Sequence, residues 1–290
     1  MERFEFQVGE SFHRRRLDDF LFNEFTHYSK AYLRNAVKNE LCEVNGYVAN
    51  TGIELRENDF IEIFVDSENA KSMLPQEMPL KIVFEDESIL VVDKDAGILV
   101  HPTHFERDGT LLNGLTHHLN QTRQNEVRFV RPHLVHRLDR ETSGLLLVAK
   151  SSEASRSLCR QIKRKEFKKR YLAMVEGLVE QGEGEIDAAI GRDPELRRHL
   201  VTPDGKPSVS HYRVIEQYTN STLLELEPVT GRTNQLRIHC AHIGHPILGD
   251  EMFGNNSSTR LCLHACGIEF LHPDGGAPIV LESTEPGFLK

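Results

Sequence analysis

Several things are missing or scarce in this 290-residue chain. It has no run of 18 or more apolar residues, so no membrane-spanning helix is expected. The opening stretch Met1-Glu2-Arg3-Phe4-Glu5-Phe6-Gln7 lacks the apolar core of a signal peptide. Cysteines number five, an odd and scattered set that does not read as a disulfide framework, and a reducing cytoplasm is the expected home. No internal repeat or low-complexity tract stands out. Basic charge is in the minority, with 35 Lys and Arg against 44 Asp and Glu, a formal net charge of −9. That balance runs against the basic footprint of a nucleic-acid binder, although only the local field at a site steers a polyanion. What is present is a chain 39% hydrophobic and 27% charged, which excludes wholesale disorder and suits one or two domains.

One boundary is readable. Residues 67–79 are polar and carry Pro75 and Pro79, which marks a linker. Ahead of it, Leu17, Phe20, Leu21 and Phe25 fall on one helical face, and Ser29 is placed to cap a second helix with Leu33, Ala36 and Val37 as its apolar stripe. Lys30, Arg34 and Lys38 recur every four residues and line one face of that second helix. Asn45-Gly46 signals a hairpin, and Ile61–Val65 a closing strand. Behind the linker, strands are expected at Leu80–Phe84, Ile89–Val92, Leu145–Ala149, Tyr171–Val175, Val209–Ile215 and Leu223–Leu226, with a helix at Ser152–Lys165. Without a regular βαβ rhythm, this interleaving predicts an α+β fold with a mixed, largely antiparallel sheet, beside a small N-terminal α/β domain.

Three segments carry chemistry. His136-Arg137-Leu138-Asp139-Arg140-Glu141-Thr142-Ser143-Gly144 feeds a charged loop into a buried apolar run. Asp139 lies between Arg137 and Arg140, whose charges favour an ionised carboxylate ready to act as nucleophile or base. The same carboxylate could instead accept the Thr142 or Ser143 amide in a turn. In Gly231-Arg232-Thr233-Asn234-Gln235-Leu236-Arg237, Thr233 is placed to cap a helix that leaves Arg237 off the apolar stripe. Between Arg156 and Arg170 sit eight Lys or Arg, among them Lys163, Lys168 and Lys169, against the single acid Glu166. This local basic patch suits phosphate neutralisation, and it ends at Tyr171, whose ring could stack on a base or pack in the core.

The segment His136–Leu147 resembles the signature around the catalytic aspartate of the RluA-type family of RNA pseudouridine synthases. The resemblance runs from Leu80 to about Leu281, taking in Gly97–Pro102, Lys169-Arg170-Tyr171 and Gly231–Gly249. Arg14–Val65 resembles an S4 RNA-binding domain. The division this implies is an S4-like domain over 12–66 and a catalytic domain over 80–285. The resemblance implies Asp139 as the catalytic nucleophile and Tyr171 as the residue stacking on the target base and serving proton transfer. It implies Arg237 as the partner of the aspartate and Arg137 as the side chain entering the RNA stack when uridine flips out. His136, Arg140, Lys30, Arg34, Lys38, Lys163, Lys168, Lys169 and Arg232 complete the expected RNA contacts. Asn234 stands where the family often has histidine, and Asp95 where proline is common. The implied reaction breaks the N1–C1′ bond, turns the uracil and joins C5 to C1′, and it calls for no metal or organic cofactor. Large-subunit ribosomal RNA is the first expectation for the substrate and transfer RNA the alternative, with a monomeric enzyme and no membrane partner.

Two rival readings stay in view. His239, Cys240, His242, His245, Cys262, His264 and Cys266 form a pool of possible zinc ligands, but no CxxC or HExxH spacing occurs. A non-catalytic, ribosome-associated RNA-binding protein would need only the S4-like segment and the basic patch. Against it stands the joint presence of Asp139, Tyr171 and Arg237.

Overall fold

A computed structural model describes the chain except residues 26–27, 67–74, 104–105, 107, 122–129, 256–257, 285 and 290. Most of the expected linker lies outside the described residues. Contacts divide the chain into two compact units, 1–77 with 115–131 and 78–114 with 132–290.

The first unit contains β1 (Glu2–Gln7), α1 (Leu17–Glu24), α2 (Lys30–Lys38), β2 (Cys42–Val44), β3 (Tyr47–Val48) and β4 (Phe60–Val65). Its antiparallel sheet has the order β1-β4-β2-β3. The helices bury the apolar faces that their spacing predicts, Leu17, Phe20 and Leu21 on α1 and Leu33, Ala36 and Val37 on α2. Ser29 Oγ accepts the Tyr32 amide at 3.1 Å and so caps α2. Asn45 (φ 54°) and Gly46 (φ 78°) both take the left-handed conformation that a two-residue hairpin turn needs. A domain start at residue 12 is too late. β1 pairs with β4 from Glu2↔Val65 to Gln7↔Phe60, and its Phe4 and Phe6 pack edge-on against Phe25 at 5.2 and 5.5 Å.

The second unit contains β5 (Ile82–Glu85), β6 (Ile89–Lys94), the start of α3 (Leu111–Asn120), β7 (His133–Leu134), β8 (Ser143–Ala149), α4 (Ser152–Lys163), β9 (Lys168–Glu176) and β10 (Glu183–Asp187). It continues through β11 (Ile190–Arg192), β12 (His199–Val201), β13 (Val209–Gln217), β14 (Ser221–Pro228), α5 (Gln235–His242), β15 (Leu263–Leu271) and β16 (Pro278–Glu282). Its main sheet has ten strands in the order β10-β13-β14-β9-β15-β8-β6-β5, with β7 on β8 and β16 on β15. Among the described residues every pairing in it is antiparallel except β8 with β15. The fold is therefore the mixed, largely antiparallel α+β arrangement expected. All seven residues of β8 are buried, which is why Leu145–Ala149 is an unbroken apolar run rather than an alternating one. Ala154 and Leu158 of α4 pack with Ile89, Val91, Leu145 and Leu147 on one face of the sheet. That helix stops at Lys163, before the expected Lys165, which turns left-handed at φ 62°.

The parallel pair is short. β8 and β15 touch only at Ser143↔His264 and Gly144↔Ala265. Beyond that point β8 takes β7 as its neighbour and β15 takes β16, so the sheet forks. Gly144 makes the junction possible. At φ +111° it sits where a Cβ would lie 2.3 Å from the Ala265 carbonyl oxygen.

Candidate active site

Asp139 lies on the loop between β7 and β8. Among the described residues its carboxylate makes no hydrogen bond or ion pair. The Thr142 amide donates to the Asp139 backbone carbonyl at 3.2 Å, so the turn reading accounts for the main chain and leaves the side chain available. The flanking arginines turn elsewhere. Arg140 donates to Glu106 Oε1 at 3.1 Å, and Arg137, which is exposed, lies 3.4 Å from His101 Nε2.

What fixes the loop is a residue the sequence reading passed over. Lys94, 2% exposed at the end of β6, donates from Nζ to the carbonyls of Asp95, Ile98 and Arg140, each at 2.9 Å. The Gly97 amide donates to the same Arg140 carbonyl at 2.9 Å. Burial pushes the Lys94 ammonium down to about 8, with Glu141 and Asp139 opposing. A lysine closing the strand that opens with the apolar run Ile89–Val92 is the signal that could have found it.

Tyr171 is 7% exposed on β9, and its phenol is pushed up by burial and by the Asp139 charge. Arg237, on α5, has a different partner from the one the resemblance implies. Its Nε and Nη2 donate to the two oxygens of Asp250 at 2.7 Å each, and Nη1 donates to Asn234 Oδ1 at 3.1 Å. Burial opposes its charge, but the Asp250 bond and the charges of Asp250 and Asp139 outweigh that and raise its pKa. Asp250 was missed, since a single acid in a Gly-Asp turn carries no motif. Asn234, where the family often has histidine, takes φ 54° ahead of α5, and it replaces Thr233 as the residue at the cap. The sequence thus brings Asp139, Tyr171 and Arg237 within one electrostatic neighbourhood, with Arg237 anchored by a neighbouring carboxylate rather than by Asp139.

The expected RNA contacts divide. His136 is turned into the sheet, a correction of its place among them. Its Nε2 accepts the Leu147 amide at 3.0 Å on the edge of β8 left open by the fork, and its ring packs on Phe167 at 5.3 Å. Burial holds it neutral, at about 3. Lys163 and Lys168 are exposed on the second unit, with Lys168 3.7 Å from Glu269. Lys169 is half-buried and burial lowers its pKa. Arg232 donates to the Pro207 carbonyl at 3.2 and 3.3 Å. On α2, Lys38 is exposed, Lys30 lies 5.0 Å over the Phe22 ring, and Arg34 pairs with the buried Asp18 at 3.1 Å. The histidines weighed as zinc ligands go separate ways. His239 bonds Ser210 and the Ala188 carbonyl, and His245 the Glu176 carbonyl. Among the described residues no three His, Cys, Asp or Glu side chains gather as a metal site.

The Asp139 carboxylate, without partners among the described residues and in a loop braced by a buried lysine, is free to act chemically. A family model for RNA pseudouridylate synthases matches residues 88–242. A ribosomal large subunit pseudouridine synthase D of Nitrosomonas europaea is 38% identical over 97% of this chain and 84% of its own length. An uncharacterised RNA pseudouridine synthase of Bacillus subtilis is 36% identical over 99% of this chain and 95% of its own. The solved structure of human RNA pseudouridylate synthase domain containing 1 is similar over 72% of this chain and 84% of its own, at TM-score 0.60 and 28% identity. The chain belongs to the RluA-type branch of the RNA pseudouridylate synthase family, and its substrate is RNA.

Proposed function

We propose that the protein isomerises uridine in large-subunit ribosomal RNA, with Asp139 as the catalytic carboxylate. The observation that carries this reading is the absence of any bond to that carboxylate among the described residues, in a loop whose backbone is tied at Arg140 and Thr142. The names of the Nitrosomonas relative and others like it support the ribosomal target. A uridine inside a stack is out of reach, so it is extruded at a cost of about a few kcal/mol, and Arg137 at the exposed rim fills the gap. The N1–C1′ bond breaks, the uracil turns, C5 bonds to C1′, and the proton lost from C5 balances the one gained at N1. Tyr171, kept protonated by burial and by the Asp139 charge, packs on the detached ring as a neutral group. Arg237, fixed by Asp250, supplies positive potential beside Asp139.

The first unit acts as an S4-like RNA-binding domain through Lys38 and its neighbours on α2. The protein works as a monomer in the cytoplasm. Its five cysteines are all free, and among the described residues no helix is long and apolar enough to cross a membrane. The test is tritium release from RNA carrying 5-tritiated uridine, taken from a strain lacking the protein. Release by wild type and none by Asp139→Asn is expected, followed by mapping of the new pseudouridine to the large subunit. Equal release by both proteins would overturn the assignment of Asp139.

A further inference from the structure

Downstream of Asp139 the loop is held by side chains that the chemistry above does not use. Ser143 opens β8 four residues after Asp139 and is 6% exposed. Arg260 Nη2 donates to Ser143 Oγ at 2.7 Å, and that oxygen lies 2.8 Å from His264 Nδ1. His264 Nε2 lies 2.5 Å from Ser283 Oγ, which donates to the Thr284 carbonyl at 3.1 Å. The proton on each bond can be assigned. A guanidinium only donates, so Ser143 accepts there and has one proton to give, to His264 Nδ1. The Ser283 proton is committed to a carbonyl, so His264 Nε2 carries hydrogen and donates to Ser283. Burial, helped by the Arg260 charge, pushes His264 down to about 4, in keeping with a neutral ring.

We propose that Arg260, Ser143, His264 and Ser283 form a one-way chain of hydrogen bonds that positions the Asp139 loop for reaction, with His264 as its central positioning residue in the Nε2-protonated form. Asp139 and Ser143 flank one turn, closed by the Thr142 amide on the Asp139 carbonyl. The upstream side of that turn is pinned at Arg140 by Lys94 and Gly97. The downstream side is backed on one edge by the β6–β8 pairing, which reaches Lys94↔Gly144, and on the other by the brief β8–β15 contact, where Gly144 fixes the approach of the two backbones and the chain fixes the side chain beside it. A loop held on both sides keeps the aim of its carboxylate, and a displacement of about 1 Å costs on the order of a hundredfold in rate.

The proposal rests on the reading of Asp139 given above, so its test has one arm that does not depend on turnover. Long-range proton–nitrogen spectra of the wild-type protein at pH 7 should show His264 protonated on Nε2 and bare on Nδ1. A ring protonated on Nδ1 overturns the chain whatever the enzyme does. The second arm is single-turnover tritium release at saturating RNA, with RNA affinity measured separately. His264→Leu should slow release at least about tenfold with affinity unchanged, while His264→Asn, whose Oδ1 still accepts from Ser143, should recover most of the rate. A leucine variant at wild-type rate, or an asparagine variant as slow as leucine, overturns the proposal. If His264→Leu does not fold, Arg260→Ala against Arg260→Lys reads the same chain from its half-buried end. If wild type releases no tritium, the functional reading fails while the tautomer still decides the hydrogen-bond chain.

Discussion

Replacing Asp250 with asparagine tests how Arg237 is held. The Asp250 side chain is fully buried and that of Arg237 is 12% exposed. Asparagine keeps the shape, and its carbonyl oxygen can still accept the Met252 and Phe253 amides, both 3.0 Å from Asp250 Oδ1. What goes is the counter-charge. Removing one partner of a buried pair costs about 3–5 kcal/mol, because the other charge stays buried alone. The Phe253 ring, 5.2 Å from the guanidinium, offsets part of that. The expected loss is then about 3 kcal/mol, a large share of the roughly 5–15 kcal/mol by which a domain is stable. Burial acts to raise the Asp250 pKa, but the Arg237 bond and charge and the two amides outweigh it, and the folded value is lowered. The stabilisation is therefore complete above the unfolded value of about 3.9 and is lost as pH falls through the depressed folded value. Urea unfolding followed by circular dichroism at pH 7, with Arg237→Leu and the double variant completing a cycle, measures the coupling. A loss below about 1 kcal/mol at pH 7, against the expected loss of about 3, would refute the view of Asp250 as the anchor of Arg237.

Three further outcomes are expected. His136 and His264 are held neutral by burial, at about 3 and about 4, so unfolding takes up protons below the free-histidine value near 6.5. Their stabilisation is whole above about pH 6.5 and falls by about 1.4 kcal/mol per pH unit per ring below it, and His136→Gln should flatten the slope of unfolding free energy between pH 5 and 6.5. Gly144→Ala forces a Cβ against the Ala265 backbone at positive φ and should cost several kcal/mol, lowering the melting temperature by about 10 °C or more; an unshifted transition would remove the close-approach argument. On α2, Lys38→Ala should weaken RNA binding and reduce its salt dependence while leaving saturated turnover unchanged. Arg34→Ala should also destabilise the first unit, because it strips buried Asp18 of a partner, which separate urea titrations of the two variants would detect.

Much of the fold was legible because periodicity reports burial. Helices α1 and α2, the Asn45-Gly46 hairpin and the buried run at β8 follow from local pattern. β15 escaped because its Leu263–Leu271 stretch mixes His264, Cys266 and Glu269 into a strand whose environment changes from β8 to β16 along its length. Asp139 stood out through its setting, and Tyr171 and Arg237 through resemblance. Their bracing did not, since Lys94 and Asp250 act through single long-range contacts that leave no spacing in the sequence. His136 misled in the other direction: next to charged neighbours it looks like a surface cation, whereas its ring substitutes for a missing strand.

That substitution also makes a ruler of the signature. His136 and Leu147 are the two ends of a ring of backbone closed by one hydrogen bond, and Asp139 rides on the ring. The number of residues in it is set by where the strands part. One extra residue would either open the clasp or shift β8 by one position, turning Leu145 and Leu147 from the α4 face to the other. The carboxylate therefore stands at a fixed count from a strand edge, and its place is inherited from the geometry of the divergence rather than from any contact of its own.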